Sequence, residues 1–480
     1  MPSIPHARAL FSSFDAQATS RRAAMSAMLF MLASCGGGGG SGGGFLPLPP
    51  PAAPAPAAKL HAVGGTVSGL LGTGLVLQNN AGDDLAVAAN GSFSFATQLA
   101  DGASYAVTVK SQPQLRTLVC TVSNGSGKIA GAAIGNVAVH CAAPPARFAY
   151  VANFLSMDVS GYTLDAATGT LVPMAVPTYS VGAEPNAITV DPTGRFAYVP
   201  HPNAHSVSGY TIDAATGALT PMAVPTVATG TEPTSVAVHP TGRFAYMTDA
   251  ALDTVSAYAI DAATGTLSPV PGSPVATGRS PSFITVDPTG RFAYAVNAVS
   301  SNVSAYTIDA ATGALTAVPG PAVSSGPNPY GVTVDPTGRF AYVADTGDYT
   351  LSAYAIDTTT GALRPLATPT VTSGKTPYSI AVDPTGRFAY AANLDVNNLA
   401  AFTIDAVSGM LSPMAVPTVP TDNQPAAVVV DPTGRFAYAA NAMSSNVSAY
   451  SIDSGTGALS PMAAPTVPAG SGPQSIAFAR

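Results

Sequence analysis

Asp191-Pro192-Thr193-Gly194-Arg195-Phe196-Ala197-Tyr198 returns almost unchanged along the C-terminal two thirds of the chain. Its arginine recurs as Arg147, Arg195, Arg243, Arg291, Arg339, Arg387 and Arg435, every neighbouring pair 48 residues apart. A period in the forties with four β-like stretches per unit is the signature of a β-propeller. In one unit, Ala187 to Val190 reads as a first short strand. Asp191-Pro192-Thr193-Gly194 has Pro at the second and Gly at the fourth position of a type I turn. Arg195 to Val199 is a second strand, Val207 to Ile212 a third, and Asp213-Ala214-Ala215-Thr216-Gly217 turns the chain into a short fourth strand around Leu219.

Side chains alternate along a strand, so Phe196 and Tyr198 face one way and Ala197 the other. Stacked blades then set a large aromatic face against a small one, the complementarity a tight core needs. Seven copies of one arginine cannot all serve one site. Most of them lie opposite an aspartate across a tight turn, and a pairing between the two would orient the hairpin. The array opens on a second strand, Ala146 to Tyr150, and finishes on a first-strand pattern, Pro473 to Phe478. The last strand is therefore expected to complete the N-terminal blade from inside. The predicted fold is all-β, a seven-bladed β-propeller over 144–480 closed by its C-terminal strand and preceded by a small β-sandwich over 60–143.

The chain has 480 residues, only 9% of them charged, with 47 Gly and 44 Pro. That composition suits a turn-rich β protein. A net charge of −7 with no basic stripe argues against nucleic acid. Arg21 and Arg22 precede an apolar run, Ala23 to Leu32, too short to span a bilayer, so residues 1–34 read as an export signal. The run ends in Leu32-Ala33-Ser34-Cys35, which resembles the lipobox of bacterial lipoproteins. Lipidation at Cys35 would follow, with Gly36 directing an outer-membrane location facing the periplasm or the cell surface. A Gly, Ser, Pro and Ala-rich tether covers 35–59. Short alternating stretches at Gly74 to Gln78, Ser92 to Phe95 and Tyr105 to Val109, separated by turn signals, predict a small sandwich of immunoglobulin-like or transthyretin-like kind. Cys120 and Cys141 remain as an even pair in an oxidising compartment, and a disulfide between them is expected.

The strings Ile188-Thr189-Val190-Asp191-Pro192-Thr193-Gly194-Arg195-Phe196-Ala197-Tyr198-Val199, then Val207-Ser208-Gly209-Tyr210-Thr211-Ile212-Asp213 and Thr216-Gly217-Ala218-Leu219, resemble the lactonase-type seven-bladed propellers. That group is related to bacterial 6-phosphogluconolactonase, to fungal carboxymuconate-lactonising enzymes and to surface-layer propellers with Tyr-Val-Thr-Asn repeats. The resemblance covers roughly 144–480 and rests on blade-building residues. It implies the fold, and a lactonase activity as an expectation.

The near-invariant turns share one face of the disc and the variable loops share the other. Function needs asymmetry, so the variable face, where the first strands enter the central channel, is where a ligand is expected. Glu184 and Glu232 come from neighbouring blades, Arg279 and Lys375 from blades across the ring. With them stand Tyr330 and Tyr378, and the uncharged Asn186, Thr234, Ser282, Asn328, Gln424 and Gln474. A lactone hydrolase needs a base for water and donors for the oxyanion. Candidate catalytic residues are His201, Glu184, Glu232 and Arg279; candidate ligand contacts are Tyr330, Lys375, Tyr378 and His205. His201 also fills a slot held in other units by Asn153, Asp249, Asn297, Asp345, Asn393 and Asn441, where a turn-satisfying role suffices. His239, in place of one turn aspartate, reads as a change without consequence. No metal or cofactor motif is present, so neither is expected. The near identity of the copies favours an envelope-anchored, monomeric binding module for a protein, a glycan or a small lactone, attached to the membrane only through lipid; a lactonase with its site at the channel mouth is the alternative.

Overall fold

The structure is a computed structural model that describes residues 59–70, 73–113, 118–142 and 144–480. The expectations for the export signal, for Cys35 and for the tether before Lys59 fall outside those residues. Ahead of the array, two four-stranded sheets form a sandwich. One runs Gly91–Ser94, Val63–Ser68, Ile134–Ala142, Val119–Ser123, and the other Asp83–Val87, Leu75–Asn79, Ser104–Ser111, Ser126–Lys128. Their inward residues, Val63, Val67, Leu75, Leu77, Val137 and Val139, make one core. Cys120 and Cys141 sit directly opposite each other on adjacent antiparallel strands and are disulfide-bonded.

The array is seven four-stranded blades, each paired antiparallel from the channel outward. Blade 1 is built on the second strand Phe148–Asn153, and its innermost strand is the C-terminal Pro473–Ala479. Blade 2 is built on Phe196–His201, blade 3 on Phe244–Asp249, blade 4 on Phe292–Asn297, blade 5 on Phe340–Asp345, blade 6 on Phe388–Asn393 and blade 7 on Phe436–Asn441. Every residue of these second strands is buried, which is why their sequence scarcely varies. Phe196 and Tyr198 pack on Ala245 and Met247 of the next blade, and at the seam Phe436 and Tyr438 pack on Ala149 and Val151.

Each blade also latches onto the next through the repeated string. The Tyr198 hydroxyl donates to the Gly265 carbonyl at 2.7 Å, and the same bond recurs in all seven blades, ending with Tyr438 to Gly169 across the seam. Those glycines have positive φ, and a Cβ on Gly217 (φ 75°) would lie 2.5 Å from the Phe148 ring. Only glycine meets both demands.

The structure corrects four readings. First, the arginines do not pair with the turn aspartates. Arg195 lies over its own Phe196 ring, 4.8 Å from the centroid, and donates to the Ala262 and Ala263 carbonyls of the next blade. Asp191 instead accepts the backbone N–H groups of Arg195 and Phe196 on Oδ1 at 2.8 and 2.7 Å, and the Thr193 N–H and hydroxyl on Oδ2. A lysine does pair with an aspartate in the sandwich, Lys110 with Asp84. Second, the fourth strand is not short. Leu219–Ala228 spans ten residues, with a register shift that accommodates its prolines on the solvent edge. In blade 3 it is broken into Leu267–Pro269 and Val275–Ala276 around Pro271-Gly272. Third, His239 is not inconsequential: buried, its Nε2 bonds the Gly290 carbonyl of blade 4 at 2.7 Å and its Nδ1 accepts from the Thr241 N–H at 3.1 Å. Fourth, the first strand of blade 2 is Thr189–Val190 alone, whereas Pro233–Val238 of blade 3 has six residues.

Candidate functional site at the channel mouth

The shortened strand traces to Pro200. Along the second strand alternate residues turn their peptide groups toward the first strand, as the Phe196 carbonyl does in accepting the Asp191 N–H. Position 200 shares that orientation, and there proline has no N–H to donate. Other blades hold Ala152, Thr248, Val296, Ala344, Ala392 or Ala440 in this place. The first strand of blade 2 therefore pairs only at Thr189 and Val190, flanked by the Asp191 bond to Phe196 and by Asn186 N–H to the Pro200 carbonyl at 3.2 Å. Glu184 and Asn186 ride on this loosely held stretch.

The first strands line a central cavity of about 460 Å³. No Asp, Glu, His, Lys or Arg is among its lining residues. At its variable-face end the ring is Asn186, Thr234, Ser282, Tyr330, Tyr378, Ala426 and, from the closing strand, Gln474. Thr234 and Ser282 turn their hydroxyls back to the Pro281 and Pro329 carbonyls of the wall. The two tyrosines project into the channel and stack, with ring centroids 3.6 Å apart and planes 25° from parallel. The Tyr330 hydroxyl neighbours the side chains of Tyr378 and of Asn186, which belongs to a blade three positions away around the ring. Asn186 is itself fixed by donating to the Thr234 carbonyl at 2.8 Å. Burial holds both phenols well above their ordinary pKa, so they act as neutral donors and acceptors.

The remaining candidates lie elsewhere. His201 ends the second strand of blade 2, 1% exposed, with Nε2 2.9 Å from Ser208 Oγ. In the same slot Asn153, Asn297 and Asn441 bond Ser160, Ser304 and Ser448. Burial pulls the imidazole pKa below its usual value, against a raising influence of the Ala183 and Glu184 backbone, and Nδ1 has no hydrogen-bond partner of full geometry. The half-buried Glu184 accepts from Asn203 Nδ2, and the exposed His205 meets the Thr231 carbonyl through Nδ1. Glu232, Arg279 and Lys375 are exposed on loops ahead of the first strands of blades 3, 4 and 6. The structure thus brings Tyr330 and Tyr378 together in the channel and leaves His201, His205, Glu184, Glu232, Arg279 and Lys375 off its wall. The tyrosines' stacking and their reach to Asn186 were not foreseen; the sequence signal was Pro200, the one proline in seven copies of that strand position.

Comparison with known proteins fits this architecture. The family model for the seven-bladed beta-propeller lactonases matches residues 114–237, 225–420 and 380–478. No curated protein matches the chain. Among solved structures, the periplasmic gluconolactonase of Pseudomonas aeruginosa superposes with a TM-score of 0.60 at 22% identity, covering 69% of this chain and 99% of that one. A protein of Bacteroides uniformis provisionally described as a 6-phosphogluconolactonase gives 0.61 at 22% identity, covering 70% and 100%. A protein of Lactobacillus plantarum gives 0.59 at 21%, again covering 70% and 100%. At these identities the superpositions speak for the fold, and the family model, matched over most of the chain, identifies it: the protein belongs to the seven-bladed β-propeller lactonase family.

Proposed function

We propose that this propeller is an exported lactonase for neutral cyclic esters, sugar lactones without phosphate, taken at the variable-face end of the channel. The observation that carries the reading is that this lactonase-family propeller has an uncharged channel lining whose mouth presents Asn186, Thr234, Ser282, Tyr330, Tyr378 and Gln474. Such a wall offers donors and acceptors to hydroxyl groups, and nothing to neutralise a phosphate, which wants clustered cations. Arg279 and Lys375 stand two blades apart and outside the cavity lining. In the reaction a carboxylate takes a proton from water, the water oxygen attacks the lactone carbonyl, and the ring C–O bond breaks. The departing alkoxide takes up the proton, giving the open hydroxy acid. Glu184 and Glu232 at the rim are the bases proposed, and Asn186 and the tyrosine hydroxyls the oxyanion donors. The chain acts as a monomer tethered through lipidated Cys35, and the sandwich is a spacer. The word periplasmic in the name of the Pseudomonas relative agrees with an exported setting.

Ring opening releases acid, so a weakly buffered indicator assay tests the reading. Neutral aldonolactones should be hydrolysed faster than their 6-phosphorylated counterparts, with turnover lost in the double variant Glu184→Gln/Glu232→Gln. Preference for the phosphorylated lactone would refute the substrate class. A second reading, a binding module without turnover, is favoured by the lack of any carboxylate or imidazole on the channel wall. Saturable lactone binding with no acid release would select it.

A further inference from the structure

We propose that Tyr330, Tyr378 and Asn186 form a bar across the channel that sets which ligands pass, and that Pro200 is the reason the bar can open. The proposal rests on the channel being the ligand site. Five of the seven positions on this ring hold side chains no larger than Gln, and those of blades 3 and 4 are folded onto the wall. The stacked rings of blades 5 and 6 fill their side and reach Asn186 on the far side, leaving the gap beside Ala426 and Gln474. A molecule moving deeper must fit that gap or part the stack. Stacking and burial hold the rings; the far support is a single amide just ahead of the shortest first strand, where pairing to the second strand is reduced to two residues. Were position 200 an alanine, the ladder could extend over Asn186 and fix that support. Asn186 and the two phenols are also the polar groups a neutral ligand meets first, so it can replace their mutual contacts with its own hydroxyls, whereas a phosphate would have to shed its water against uncharged groups. These are specificity-determining residues, distinct from the proposed bases on the rim.

The test is thiol access beneath the bar. Thr333, a half-buried channel residue of blade 5 nearer the opposite end, becomes the reporter as Thr333→Cys in the full chain carrying Cys35→Ser. Methanethiosulfonates of increasing size are the probes. Labelling is expected to be slow and size-dependent. Tyr378→Ala should speed it about tenfold, since reactivity scales with the fraction of open channel. Asn186→Ala should act in the same direction, Pro200→Ala should slow labelling, and Tyr378→Phe, which keeps the ring, should leave it near the parent rate. Phe478→Ala, at the other end of the channel, controls for access from that side. An unchanged rate in Tyr378→Ala, or acceleration by Phe478→Ala alone, overturns the proposal. Melting profiles and near-ultraviolet dichroism establish that each variant is folded, and Asn186→Ala carries the test if Tyr378→Ala is not. Labelling reads the bar whether or not any lactone is hydrolysed, so a failed hydrolysis assay would refute the proposed function and leave this result standing.

Discussion

Replacing Asp345 by asparagine should stabilise the propeller, and increasingly so as pH rises. Asp345 is fully buried at the end of the blade 5 second strand. Its Oδ2 accepts from the Ser352 hydroxyl at 2.6 Å, while Oδ1 has no partner of full geometry, although the Gly326 amide and Ser325 hydroxyl lie near. Burial, opposed by Ser352 and reinforced by the neighbouring Asp348, pushes its pKa up to about 7. The folded value lies above the unfolded one, so the aspartate's full contribution is present only below about pH 4 and is lost as pH rises through 7. The linkage cost is about 1.5 kcal/mol at pH 5 and about 4 kcal/mol at pH 8.5. Asparagine does not titrate, and the array supplies its template: Asn393 accepts the Ser373 hydroxyl, and Asn297 donates to Ser304. Ser325 and Ser352 occupy the matching places in blade 5. Asp345→Asn should therefore gain about 3 kcal/mol more at pH 8.5 than at pH 5. For a domain of this size that is about 4 °C in melting temperature. Denaturant melts of both proteins at the two pH values measure it. A gain independent of pH, or a loss at pH 8.5, would refute the reasoning.

The tyrosine latches make two further predictions. Tyr198→Phe leaves the buried Gly265 carbonyl without its donor and should cost about 1–3 kcal/mol, and Tyr438→Phe at the seam should cost at least as much; calorimetry of both, with no shift in either, would remove the latch from the account. Because burial raises the pKa of these phenols above the ordinary value of 10, stability should be intact below pH 10 and fall as pH rises beyond it. Absorbance at 295 nm should show their ionisation coinciding with unfolding, rather than preceding it as it would for exposed phenols.

The 48-residue period disclosed the blades, their number and the closure, because each depends on residues that must be the same seven times. It misled where one residue type serves two partners: Arg195 and Asp191 face each other in sequence, yet the aspartate is consumed by backbone donors and the guanidinium turns to the next blade. Blade-to-blade contacts join residues 67 apart, an interval that strand patterning within one unit does not reveal. The channel site was legible as a set of positions and illegible as an arrangement. Charge drew attention to Glu184, Glu232, Arg279 and Lys375, but a first strand exposes only some of its residues to the channel, and there the chain has placed amides, hydroxyls and phenols. Contact between Asn186 and Tyr330 depends on the curvature of the whole ring.

The closing strand gives the protein a particular history each time it is made. Phe148–Asn153 pairs with Pro473–Ala479, so the first blade to leave the ribosome waits for a strand made more than 300 residues later. Until they arrive, the aromatic face of blade 7 and the Ala149 and Val151 face of blade 1 have nothing to cover them. Contacts this distant in sequence are slow to form, and uncovered apolar surfaces invite association between chains. A chain that loses only its final strand keeps nearly all of its blades yet has an open seam, and such chains should collect as oligomers or fall to proteases. Arrival of this closing strand, rather than the stability of any one blade, decides whether the ring closes.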